Sequence, residues 1–167
     1  MRQGPPRRAT ALVAMLLLAG ALAACASQAA ARVALPTPTA SAIQLTLDRT
    51  AYTTSQPIGV TVTNTSKHDY YAVDGLSACT FLQLQFYDVV KKTWVGTDGC
   101  SSPNPPTPRL ISAHLAEPLT LPPGNAPDNG NVWATGTYRV AVRYGTHTDG
   151  SGDVEIAYSP GFQIAGG

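Results

Sequence analysis

Few residues in this 167-residue chain carry charge. Asp, Glu, Lys and Arg make up 13% of it, against about 25% in ordinary globular proteins. Past residue 24 there is no basic cluster, which argues against nucleic acid as a partner. There are three histidines, His68, His114 and His147. None has another within helical or strand reach, so no metal pair is expected. No Gly-x-Ser-x-Gly elbow, His-Glu-x-x-His motif or Gly-rich phosphate loop occurs, and no cofactor is expected. No amphipathic helical period is found. Acidic residues are absent before Asp48. Cysteines number three, Cys25, Cys79 and Cys100, an odd count that needs explaining.

The acid-free start contains Arg2, Arg7 and Arg8, followed by an apolar run over residues 11–24. A helix needs about 20 apolar residues to cross a bilayer, and this run is shorter. A basic start, a short apolar stretch and small residues at its end describe a secretory signal. Leu22-Ala23-Ala24-Cys25 resembles the lipobox of bacterial lipoproteins. That resemblance implies cleavage before Cys25, a diacylglycerol on its thiol and a membrane partner held through the lipid. The expected location is the outer side of a cell membrane, lipid-anchored and facing away from the cytoplasm.

Without residues 1–24, eight basic and ten acidic residues remain, a net charge of −2. Residues 25–42 are rich in Ala, Pro, Thr and Ser and lack an apolar period. They read as a tether, kept extended by Pro36 and Pro38. Outside the cytoplasm a disulfide persists, so Cys79 and Cys100 are expected to pair. That bond would stabilise by about 3 kcal/mol in the chain-entropy model.

From Ile43 onward apolar residues alternate with polar ones. Ile43, Leu45 and Leu47 form one such set, and Ile58, Val60 and Val62 another. Leu82, Leu84 and Phe86 follow, then Tyr138, Val140 and Val142. Val154, Ile156 and Tyr158 continue the series, with Phe162 and Ile164 past a bend. Period two means strands with one buried face. Turn residues punctuate the runs at 64–66, 74–75, 98–99, 122–124 and 149–152. Pro160 predicts a bend or bulge. The expected fold over residues 43–167 is all-β, an antiparallel sandwich of about seven or eight strands.

Several segments resemble bacterial immunoglobulin-like domains of exported proteins. The first is the stretch from Leu45 through Tyr52 and Pro57 to Asn64 and Ser66. Lys92-Thr93-Trp94 is similar to a hairpin with a charged turn before a Trp. Leu119 to Gly124 is similar to a strand ending in Pro-Gly. Gly136-Thr137-Tyr138 is similar to the Gly-x-Tyr start of a late strand, and also to a tyrosine corner. Val140 stands where antibody domains carry a cysteine, so Cys79 and Cys100 would not form the usual inter-sheet bridge.

The resemblance implies a non-catalytic binding or structural module with a protein or cell-envelope partner. Candidate contacts are Tyr70 and Tyr71, of which one ring should face out, and Asn104 and Pro105 in the proline-rich segment 96–108. A similar strand pattern in a bacterial proteinase-inhibitor family gives an alternative. It would present Asn104-Pro105-Pro106 or the 145–153 segment to a protease. A second alternative is a small hydrolase joining one histidine to a Ser or a carboxylate. Asp149 and Asp153 flank a flexible loop that reads as a hairpin connection rather than a calcium site.

Overall fold

The computed structural model describes residues 41–73, 80–97, 108–123, 132–148 and 152–167. These lie in one compact unit, Leu35–Gly167. Among the described residues eleven strands run in chain order: β1 Ile43–Leu47, β2 Ala51–Thr53, β3 Ile58–Asn64, β4 Tyr70–Val73, β5 Leu82–Asp88, β6 Thr93–Gly96, β7 Pro108–Ile111, β8 Ala116–Leu121, β9 Gly136–Gly145, β10 Val154–Tyr158 and β11 Phe162–Ala165. A three-stranded sheet in the order β1-β3-β8 faces an eight-stranded sheet. The fold is an all-β sandwich.

The count exceeds the expected seven or eight because several lines of strand are interrupted. β4 and β5 both pair antiparallel with the same edge of β9. β6 pairs with β5 and β7 with β4. β10 and β11 share the other edge of β9. Merging these three broken lines gives eight lanes. β1 and β2 lie in different sheets, so the chain changes sheet between Leu47 and Ala51. β2 then runs parallel to β11, so the pairing is not antiparallel throughout.

β9 is the shared strand of the larger sheet, bonded along both edges. Its inward residues, Tyr138, Val140, Val142 and Tyr144, are buried. They meet Ile43 and Leu45 of β1, Ile58, Val60 and Val62 of β3, and Leu121 of β8 in one core. Full burial of side chains of this size stabilises by roughly 1.5–3 kcal/mol each, before the cost of ordering them. Tyr138 stacks on Phe162 with centroids 6.1 Å apart. Its hydroxyl donates to the Ala134 carbonyl at 2.9 Å, the contact that a tyrosine corner makes.

The break between β10 and β11 is a bulge. Tyr158 pairs with Ala141, and Phe162 with Tyr138. Three residues, Ser159, Pro160 and Gly161, thus face only Arg139 and Val140. Pro160 has no N–H to give the ladder, so it suits this position. Buried Ser159 repairs the ladder. Its N–H donates to the Val140 carbonyl at 2.8 Å, and its hydroxyl accepts from the Val140 N–H at 2.9 Å. The extra residue reverses which side chains face the core. Ala157 is inward before the bulge, and Phe162 and Ile164 are inward after it. Val154 and Ile156, each 42% exposed, therefore line the outer face. Alternation alone puts Val154, Ile156 and Tyr158 on the buried side. The bulge is the reason it does not apply there.

Two polar clusters fix the pole-to-pole turns. Asn64 is buried, yet all of its side-chain bonds are made. Its amide donates to the His68 and Ile111 carbonyls at 2.8 and 3.0 Å, and its oxygen accepts from the Ser66 N–H and hydroxyl. At the other end of β3, Asp48 accepts from the Tyr52 hydroxyl at 2.6 Å and the Gly59 N–H at 3.2 Å. A Cβ on Gly59 would sit 2.8 Å from the Asp48 carboxyl carbon, so only glycine allows this approach. At one margin of the sandwich, Tyr144 donates to Glu155 and accepts from Ser41, each at 2.6 Å. At the other, Arg109 of β7 pairs with Glu117 of β8.

The Tyr52 hydroxyl, foremost, holds the Asp48 carboxyl below its ordinary value of 3.8, with Arg49 and the Gly59 N–H adding to it. Such a group stabilises the fold above its unfolded pKa and loses that contribution as pH falls through the folded one. Replacing Tyr52 with Phe should therefore cost stability at neutral pH, and the gap to wild type should narrow below pH 3.8. Urea unfolding at a series of pH values measures it. A gap that stays constant into acid would refute the role given to Asp48.

Candidate binding surface

The strand pairings lay out the outer face of the larger sheet in rows. Leu110, Tyr71, Gly145 and Val154 form the first. Arg143 and Ile156 form the next. Gln83, Ala141 and Tyr158 follow, then Gln85 and Arg139, then Tyr87 and Trp94. No carboxylate occupies any of these positions.

The lower rows are clad by their own side chains. The Arg139 guanidinium lies 3.7 Å from the Tyr158 ring centroid and 4.5 Å from that of Trp94. Its Nε donates to Gln85 Oε1 at 2.7 Å. Tyr87 packs against Trp94 with centroids 5.1 Å apart. The result is a ladder across four strands: Tyr87, Trp94, Arg139, Tyr158. Burial between the rings lowers the Arg139 pKa from its ordinary value, and Tyr158 opposes that shift. The guanidinium stays charged, because an arginine pKa starts above 12. The Trp94 indole N–H is buried and has no hydrogen-bond partner among the described residues.

The upper rows have no such ladder. Leu110 is 45% exposed, and with Val154, Ile156 and Tyr71 it leaves apolar surface open beside Arg143. Each exposed apolar residue alone is ordinary, whereas neighbours in one row form a patch. Gly145 between Tyr71 and Val154 has no side chain to cover them.

The structure separates the two tyrosines proposed from sequence. Tyr70 turns inward and meets Tyr144 edge-on, with centroids 5.0 Å apart. It is a margin residue of the core rather than a contact. Tyr71 takes the outer face and joins the open patch. Cys25, Cys79, Cys100, Asn104 and Pro105 lie outside the described residues. So does Asp149 of the 149–153 loop. His68, His114 and His147 are exposed. Among the described residues no three His, Cys, Asp or Glu side chains gather as metal ligands. Among them too, no helix is long and apolar enough to cross a membrane. Trp133 fills the core, its indole N–H bonded to the Gln56 carbonyl at 2.9 Å. Trp94 instead lies on the outer face, within the ladder. The Arg139 ladder was hidden because its members come from two strand pairs, β5–β6 and β9–β10, far apart in sequence.

No family model matches the chain, and no curated protein matches it. Among solved structures it is similar to part of a β-glucosidase from Listeria innocua. With gluconolactone bound, that enzyme aligns at a TM-score of 0.35 and 16% identity, over 75% of this chain and 16% of the other. A mutant with laminaribiose gives 0.34 and the same identity, over 74% and 16%. The glucose complex gives 0.33, also at 16% identity, over 75% and 16%. The chain thus spans about one sixth of the length of those enzymes.

The ladder makes a stability prediction. Cation–π contacts contribute roughly 0.5–2 kcal/mol depending on desolvation, and Arg139 makes two. Arg139→Ala should destabilise by about 1–3 kcal/mol, while Arg143→Ala should change stability by less than about 0.5 kcal/mol. Chemical denaturation of both variants checks the contrast.

Proposed function

We propose that this chain is a lipid-anchored, immunoglobulin-like binding module that works outside the cytoplasm and is not catalytic. The observation that carries it is the open apolar patch of Tyr71, Leu110, Val154 and Ile156 on a face whose lower half is already clad. A sheet face finished with its own ladder in one half and left apolar in the other suits a partner protein or envelope component on the open half. Tyr138 supports the immunoglobulin-like reading, since its hydroxyl reaches back to Ala134. The anchor rests on the resemblance of Leu22 to Cys25 to a lipobox. One clasp follows from the odd cysteine count: Cys25 for lipid, Cys79 and Cys100 for each other.

Strand register supports that clasp. The Val73–Pro108 and Gln85–Gly96 pairs belong to one hairpin register. Between them each strand line has an equal number of residues, with Cys79 on one side and Cys100 on the other.

One preparation tests both parts. The chain purified from membranes should carry a diacylglycerol mass on Cys25, and alkylation without reductant should leave Cys79 and Cys100 unmodified. An unlipidated Cys25, or two alkylated thiols, contradicts the corresponding part. In pulldowns with the tether intact, Leu110→Asp/Ile156→Asp should lose most of the captured partner, at least tenfold, with unchanged circular dichroism. Undiminished capture would remove the upper face as the site.

A further inference from the structure

The most exposed apolar side chains of the described residues are not on the sheet face. Val89 is 66% exposed and Val90 87%. They sit side by side in the turn 89–92 between β5 and β6, followed at once by Lys91 and Lys92. A turn selected only to reverse the chain would favour Gly, Asn, Asp or Ser, and two valines in water give the fold nothing.

The turn is held rigid from below. Asp88 Oδ1 accepts from the Val90 N–H at 2.9 Å and the Lys91 N–H at 3.0 Å. Its other oxygen lies 3.8 Å from the Lys91 ammonium. Lys92 takes a left-handed backbone, φ 53°, and the strands resume at the Asp88–Thr93 pair. The carboxylate is thus committed to the turn's base, and the apolar pair and two lysines are presented together.

The turn presents two highly exposed apolar side chains with two lysines directly behind them. It matches a soft planar surface that is apolar below and anionic at the rim. We propose that the 89–92 turn dips into an anionic lipid bilayer, with Val89 and Val90 entering the headgroup–acyl boundary and Lys91 and Lys92 facing lipid phosphates. The contact needs no lipid on Cys25, though the anchor reading would bring the bilayer within reach. The turn adjoins the Phe86–Tyr138 end of β9, whereas Ser41 bonds to Tyr144 near the opposite end. β9 is ten residues long, about 33 Å at the usual strand rise. The sixteen residues from Ala26 to Ser41 reach roughly 50 Å when extended. On the anchor reading, a linker of that length would exceed the length of β9 and would not hold this pole off a membrane.

The test is hydrogen exchange on the full chain reconstituted in vesicles, either phosphatidylcholine alone or with about one third phosphatidylglycerol. Exchange over residues 88–93 should slow at least threefold in the anionic vesicles. The 112–115 turn should not change. Val89→Ser/Val90→Ser and Lys91→Gln/Lys92→Gln should each abolish the slowing. Equal exchange in both vesicle types overturns the proposal. So does protection that appears only in native membranes, which would assign the turn to a protein. The Cys25 mass is read on the same sample, so failure of the anchor and failure of the turn are told apart.

Discussion

The hydrogen bond from the Val140 N–H to the Ser159 hydroxyl is the contact on which most of the larger sheet depends. It keeps β9 bonded along an edge that carries one residue too many. With that donor satisfied, Ser159, Pro160 and Gly161 occupy the space of two residues at no cost of a buried, unpaired amide. The facing of the last line of strand then reverses. Phe162 and Ile164 enter the core, where Phe162 meets both Tyr52 and Tyr138. Val154, Ile156 and Tyr158 are turned outward. One repaired bulge thus supplies part of the core, one end of the arginine ladder and half of the open patch.

The same strands finish the two halves of the outer face differently. Near the Trp94 end, an arginine between two rings covers apolar surface and keeps its charge half-buried. Near the Tyr71 end, Gly145 removes a side chain where a covering one would have stood. The β4–β5 and β6–β7 lines are both interrupted between these halves, at the level of Arg143. The proposed membrane turn lies at the other pole, so partner and bilayer would not compete for one surface.

Much of the sandwich was legible in the sequence. Period-two alternation located β1, β3, β5 and β9 and their buried faces, because each of those strands is regular. Pro160 marked the bulge. What alternation did not carry was the bulge's effect on facing, since one extra residue reverses the side on which a correct pattern falls. The sheet change between Leu47 and Ala51 was likewise invisible, as it depends on Asp48 meeting Gly59 eleven residues on. Of the candidate surface, the adjacency of Tyr70 and Tyr71 made one outward ring legible, and the structure shows it to be Tyr71. Leu110 and Ile156 were not, because a row across strands follows only from register. The ladder was out of reach for the same reason, with Gln85 and Arg139 lying 54 residues apart.

The measurement that bears most directly on this account is photo-cross-linking from the full chain in intact cells. A photoreactive residue at position 156 lies on the open outer face of the larger sheet. One at position 61 lies on the outer face of the smaller sheet. Adducts to a discrete partner from position 156, with none from position 61, are the predicted result. Adducts from position 61 and none from 156 would contradict it, and would show that the face exposed by the Ser159 bulge is not the one the protein uses.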